Sequence, residues 1–131
     1  MKRLCIVAEA NPFIIQLLKR FAEKSGLDVL PVPVGQDVLA LARQKKPLVI
    51  VIDPELPGKV RGWEVIRLLR EDDQTRQVPV IACTWMEEIN LREMAGEVSG
   101  RLQKPEIHYK DFVGALRKAG VTPMKNPSLN D

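Results

Sequence analysis

Residues 48–58 read Leu48-Val49-Ile50-Val51-Ile52-Asp53-Pro54-Glu55-Leu56-Pro57-Gly58. Five apolar residues, four of them β-branched, run without alternation, as in a strand covered on both faces of its sheet. An acid and a cluster of turn formers follow at once. A strand covered on both faces needs helices above and below it, so the flanking sequence should alternate strands with amphipathic helices.

Upstream, the alternation occurs twice. Residues 4–8 form a short apolar run, and Asn11-Pro12 then introduces Phe13, Ile14, Leu17, Leu18 and Phe21, spaced for one helical face. Ser25-Gly26 stops that helix, residues 28–32 read as a second strand, and Gly35-Gln36-Asp37 opens a second helix through Val38, Leu41 and Ala42. Downstream, Val65, Ile66 and Leu69 mark a third helix, residues 78–83 a fourth buried strand, and residues 87–95 a weaker helix anchored by Ile89, Leu91 and Met94. Leu102 marks a short fifth strand before Lys104-Pro105, and the last helix, residues 109–119, carries Phe112, Val113 and Leu116 on its buried side. Five such units, joined by right-handed crossovers, predict a doubly wound α/β fold with a five-stranded parallel sheet. The domain is expected to span residues 1–120, with the aperiodic residues 121–131 as a flexible tail or linker.

Composition agrees with one globular domain: 131 residues, 45% hydrophobic and 28% charged, enough to bury a core without disulfides or metal. The longest apolar runs, 47–52 and 78–83, are far short of the ~20 residues that cross a bilayer, so a cytoplasmic protein with no membrane contact is expected. Cys5 and Cys83 lie inside apolar runs without metal-like spacing and read as core residues in a reducing compartment. The net charge of +3 arises entirely from residues 100–131, which carry six basic and three acidic residues. That surplus is what a solvated helix face carries; it lacks the dense basic clusters of a nucleic-acid surface, so nucleic acid is not expected as a partner.

In open α/β sheets ligands bind beyond the carboxyl ends of the strands, where the strand order reverses. The residues there are Glu9, Ala10 and Asn11 after the first strand, Asp53 and Glu55 after the third, Thr84 and Trp85 after the fourth, and Lys104-Pro105 after the fifth. No G-x-G-x-x-G or G-K-[ST] follows the first strand, which argues against nucleotide and dinucleotide binding. Carboxylates from different strand ends can share a hydrated Mg²⁺, while a lysine and a hydroxyl can hold the oxygens of a transferred phosphoryl group. The chemistry this set suits is phosphoryl transfer to the Asp53 carboxylate.

With these residues in view, the chain resembles the receiver domain of bacterial two-component response regulators over about residues 2–119. The matching stretches are Ile6-Val7-Ala8-Glu9-Ala10-Asn11-Pro12, Val49 through Gly58, Val78-Pro79-Val80-Ile81-Ala82-Cys83-Thr84, and Lys104-Pro105. The resemblance implies a flavodoxin-like (βα)5 fold with strand order 2-1-3-4-5, working in a phosphorelay as a signalling switch rather than an enzyme. It implies Asp53 as phosphoacceptor, Thr84 as the hydroxyl that moves to the phosphoryl group, and Lys104 as counter-ion behind a cis Lys104-Pro105 bond. Mg²⁺ would be held by Glu9, Asp53 and the backbone carbonyl of Glu55. The implied partners are a sensor histidine kinase or phosphotransfer protein as donor. An output protein or a second copy would dock on the face of the fourth helix, fifth strand and fifth helix, around Arg101, Glu106 and Tyr109.

The chain departs from the family pattern at four places. The family's second acid after the first strand is Ala10, which has no oxygen for a metal, so Mg²⁺ binding should be weak. Trp85 replaces a small residue and could cover Asp53; Arg101 replaces the aromatic three residues before the lysine; and the loop between Pro57 and Gly62 is one residue longer, with Arg61 where an acid is common. Two readings therefore stand: a phosphorylatable receiver, or a pseudoreceiver that serves as a protein-interaction module without phosphorylation.

Overall fold

The computed structural model describes residues 3–124. Five strands, β1 (Leu4–Ala8), β2 (Asp28–Pro31), β3 (Val49–Ile52), β4 (Val80–Thr84) and β5 (Gly100–Gln103), alternate with five helices. The helices are α1 (Pro12–Lys24), α2 (Val38–Lys45), α3 (Gly62–Glu71), α4 (Glu88–Ala95) and α5 (Tyr109–Lys118). The strands form one parallel sheet in the order β2-β1-β3-β4-β5, as expected.

The period-two geometry of the strands divides the core into two layers. Cys5 and Val7 of β1, Val49 and Val51 of β3, and Ile81 and Cys83 of β4 face one side, where Leu18 of α1 and Phe112 and Leu116 of α5 cover them. Ile6 and Ala8, Ile50 and Ile52, and Val80 and Ala82 face the other, against Ala42 of α2, Val65, Ile66 and Leu69 of α3, and Leu91 of α4. Both faces being dry explains the unbroken apolar runs of β3 and β4. Each fully buried Ile or Leu of these layers contributes roughly 1.5–3 kcal/mol.

Register brings the strand ends level. Ala8 pairs with Ile52, Ile52 with Ala82, and Thr84 with Gln103. Glu9 and Asp53 therefore follow paired residues on adjacent strands, at the point where the chain order reverses between β1 and β3. At the head of α1, Asn11 Oδ1 accepts from the Phe13 and Ile14 amides at 2.9 and 3.3 Å, with Pro12 in the first turn. That N-cap fixes the chain direction just after Glu9.

Several local expectations are corrected. Phe13, which the spacing puts on the apolar face of α1, is 85% exposed; Leu18 and Ala22 are the buried residues of this helix. Ile89 and Met94 of α4 are likewise exposed, leaving Leu91 and Ala95 as its anchors. In α5, Val113 is only half-buried and Ala115 takes its place between Phe112 and Leu116. Gly35–Asp37 forms a separate 3-10 turn ahead of α2. Gly35 is required there: a Cβ would lie 1.8 Å from the Val60 carbonyl oxygen.

Residues 121–124, placed in the tail by the sequence reading, are tied back onto the domain. Val121 is buried and donates to the Leu116 carbonyl at 2.8 Å, Met124 N donates to Ser25 O at 2.8 Å, and Arg3 hydrogen-bonds Thr122 O. The rest of the expected tail, residues 125–131, lies outside the described residues. No helix among the described residues is long and apolar enough to cross a membrane.

Candidate functional site

Glu9, Asp53 and Lys104 meet at the carboxyl edge of the sheet. The Lys104 ammonium lies 2.8 Å from Glu9 Oε1 and 2.9 Å from Asp53 Oδ2, so one cation bridges two carboxylates brought from β1 and β3. Lys104 and Glu9 are almost fully buried, their side chains 5% and 3% exposed, while that of Asp53 is 16% exposed. Asp53 is thus the one member of the triad open to an incoming group.

Backbone amides orient both acids. Glu9 Oε2 accepts from the Ala10 and Asn11 amides at 3.1 and 3.0 Å, and Asp53 Oδ1 accepts from the Glu55 amide at 2.8 Å. Each carboxylate then turns its other oxygen toward Lys104. Burial disfavours the lysine cation, but the hydrogen bonds and charges of Glu9 and Asp53 outweigh it and hold the Lys104 pKa above the usual lysine value. The Lys104-Pro105 bond is cis, as the resemblance implied. Cys5 and Cys83 are buried, and burial pushes both thiols up to about 12; Cys83 also feels the charges of Lys104, Glu9 and Asp53, although none of its own chemistry is exposed.

Thr84 is fully buried at the end of β4, and its Oγ1 accepts from the Met86 amide at 2.9 Å. Among the described residues that is its hydrogen-bond partner; it does not reach Asp53. Trp85 is 62% exposed and Glu55 is exposed, so the Glu55 carboxylate is not drawn into the triad. Tyr109 is half-buried; its ring packs against Phe21, centroids 5.6 Å apart, and its hydroxyl lies 3.2 Å from Ser25 Oγ.

Two glycines that the sequence reading did not assign to the site hold its loop. Gly62 packs against the Asp53 peptide, where a Cβ would lie 2.0 Å from the Asp53 carbonyl oxygen. Gly35 N donates to Pro57 O at 3.0 Å, and Gln36 Oε1 accepts from Lys59 N at 3.1 Å, fastening the β3–α3 loop to the turn before α2. Arg61-Gly62 at a helix start was a visible signal; the partners of Gly35 and Gln36, over twenty residues away, were not.

Glu9 and Asp53 are oxygen donors of the kind a hydrated divalent cation takes, but the point on which they converge, within 2.9 Å of both, is filled by the Lys104 ammonium, and the Glu55 amide donates to Asp53 Oδ1. Mg²⁺ commonly uses one or two carboxylates and fills its octahedron with water. Among the described residues no group of three or more His, Cys, Asp or Glu side chains gathers into a metal cage, and Ala10 supplies no oxygen.

Residues 5–113 match the family described as response regulator receiver domain. Polar-differentiation response regulator DivK of Brucella anthropi is 36% identical over 84 residues, which cover 64% of this chain and 68% of that one. The bacteriophytochrome response regulator AtBRR superposes with a TM-score of 0.81 at 24% identity, covering 97% of this chain and 99% of that one. A receiver domain of a sensor histidine kinase from Pseudomonas aeruginosa, with a magnesium ion coordinated in its active-site cleft, gives a TM-score of 0.79 at 23% identity, covering 92% and 99%.

Proposed function

From the premise that this chain belongs to the response regulator receiver domain family, we propose that it accepts a phosphoryl group on Asp53 and signals through protein–protein contacts. The observation that carries this reading is the placement of Asp53 alone at the open end of a buried Glu9–Lys104–Asp53 triad, with Oδ2 at 2.9 Å from Lys104 Nζ.

An Asp53 carboxylate oxygen attacks phosphorus; the bond from phosphorus to the donor's leaving atom breaks, and that atom keeps the electron pair. The product is an acyl phosphate. Lys104, already held by Asp53, pairs with the new phosphoryl oxygens, and the buried Glu9 keeps the lysine aimed. Thr84 Oγ, once released from Met86, donates to a phosphoryl oxygen. Mg²⁺ would be held by Glu9, Asp53 and the Glu55 carbonyl, supplying positive charge to the phosphoryl oxygens. Without an oxygen at Ala10, its affinity is weak.

The donor in this reading is a sensor histidine kinase or phosphotransfer protein in the cytoplasm. The output is an interaction on the face of α4, β5 and α5, where Glu106 is exposed. The chain acts once per phosphoryl group, as a switch, not an enzyme. The pseudoreceiver reading draws support from the same triad: the Lys104 ammonium already bridges the two acids and offsets one of their two negative charges.

Incubation with a small-molecule phosphodonor and Mg²⁺, followed by fragment-ion mapping, should place one phosphoryl group on Asp53. Labelling that survives Asp53→Asn unchanged would overturn the assignment.

A further inference from the structure

Arg101 and Gln103 stand two residues apart on β5 and so project from the same face of the strand. Arg101 Nη2 donates both to Met86 O and to Gln103 Oε1. Gln103 Nε2 donates to Trp85 O at 3.2 Å and to Lys104 O at 3.1 Å. A guanidinium only donates, so it fixes which end of the Gln103 amide is oxygen and turns the NH₂ toward the two carbonyls. The Trp85 and Met86 carbonyls are thereby both held from β5. Met86 is held at both ends of its backbone, N–H by Thr84 Oγ1 at 2.9 Å and C=O by Arg101.

The consequence falls on Thr84. Its hydroxyl sits where Met86 N–H sits, and Met86 sits where Arg101 and Gln103 hold it. A hydroxyl can accept from Met86 N–H and still donate, so it is the held position of the loop that keeps it from Asp53: to carry the hydroxyl there with the Met86 bond intact, the loop leaves its two β5 partners. We propose that Arg101 and Gln103 are positioning residues, a latch on the β4–α4 loop that keeps the Thr84 hydroxyl away from Asp53 and thereby slows its phosphorylation. The latch is a feature of the unmodified chain; its effect on labelling rests on the phosphoacceptor reading above.

The test compares the full chain with Arg101→Ala/Gln103→Ala and with Arg101→Lys. In unmodified protein, amide hydrogen exchange at Met86 should be about tenfold faster in the double variant, with Ile81 and Ala82 of β4 unchanged. Arg101→Lys, a compact single-point donor, should fall between. The initial rate of labelling by a small-molecule phosphodonor should rise at least about threefold in the double variant, and this gain should vanish when Thr84→Ala is added. Unchanged exchange at Met86 overturns the latch. A labelling gain that persists without the Thr84 hydroxyl overturns its action through Thr84. If no variant takes label, the phosphoacceptor reading and the effect on labelling both fail, and exchange at Met86 still decides whether the latch exists.

Discussion

Replacing Lys104 by methionine keeps an unbranched chain of similar length in the same slot but removes the cation that holds two buried acids together. Glu9 Oε1 and Asp53 Oδ2 each lie within 2.9 Å of Nζ. Across about 5 Å and at an effective dielectric of about 20, two unit negative charges repel by roughly 3 kcal/mol. Removing one partner from a buried ionic cluster costs about 3–5 kcal/mol, which agrees. A domain of this size stands only about 5–15 kcal/mol above its unfolded state, so the loss is easily read. Urea titration at pH 7 should show a lower midpoint with the slope unchanged, equivalent to about 3 kcal/mol. Adding Asp53→Asn removes one of the two repelling charges and should restore most of that loss. A deficit below about 1 kcal/mol, the size of an exposed ion pair, would refute the picture of a triad held by its central ammonium. So would a double variant as unstable as Lys104→Met alone.

Three further outcomes follow from the same geometry. Ala10→Asp adds a carboxylate beside Glu9 and should tighten Mg²⁺ binding on the order of tenfold in calorimetric titration; an unchanged affinity would show that position 10 does not face the ion. Gly62→Ala would set a Cβ 2.0 Å from the Asp53 carbonyl oxygen, a backbone atom that cannot step aside; it should cost about 2–3 kcal/mol in urea titration, and a neutral result would mean the loop relaxes freely. Lys104 holds its proton more tightly folded than unfolded, so its contribution is complete below about pH 10 and lost as pH rises through the folded value. Stability should therefore fall in alkaline solution by a component that is missing from Lys104→Met.

The sequence displayed the site's members more clearly than their mutual contacts. Glu9, Asp53, Thr84 and Lys104 were visible because each follows an apolar run, and a parallel sheet brings strand ends to one edge. That Lys104 bridges the two acids while Thr84 faces Met86 depends on side-chain direction, which spacing does not encode. Helical periodicity placed α1 and α4 correctly yet overstated Phe13 and Ile89, both exposed, because periodicity gives the face of a helix but not which of its turns lie against the sheet. Pro31 was compatible with a strand because β2 is the edge of the sheet. The docking of residues 121–124 had little signal: apart from the buried Val121 side chain, it rests on backbone groups of Val121, Thr122 and Met124 bonded to Leu116, Arg3 and Ser25. The Arg101–Gln103 grip on the β4–α4 loop was equally hidden, since its acceptors are main-chain carbonyls that any residue could supply.

In the proposed function Asp53 is a working phosphoacceptor with alanine at position 10, where the resemblance to the family leads one to expect an acid. Intact-mass spectrometry after incubation with a small-molecule phosphodonor, with and without Mg²⁺, tests it on the unsubstituted chain beside Asp53→Asn and Ala10→Asp. One phosphoryl adduct that depends on Mg²⁺, is absent in Asp53→Asn and is reached at lower Mg²⁺ in Ala10→Asp is the expected result. No adduct on the unsubstituted chain at saturating Mg²⁺, with one appearing in Ala10→Asp, would contradict it and leave a receiver that acts through constitutive protein contacts.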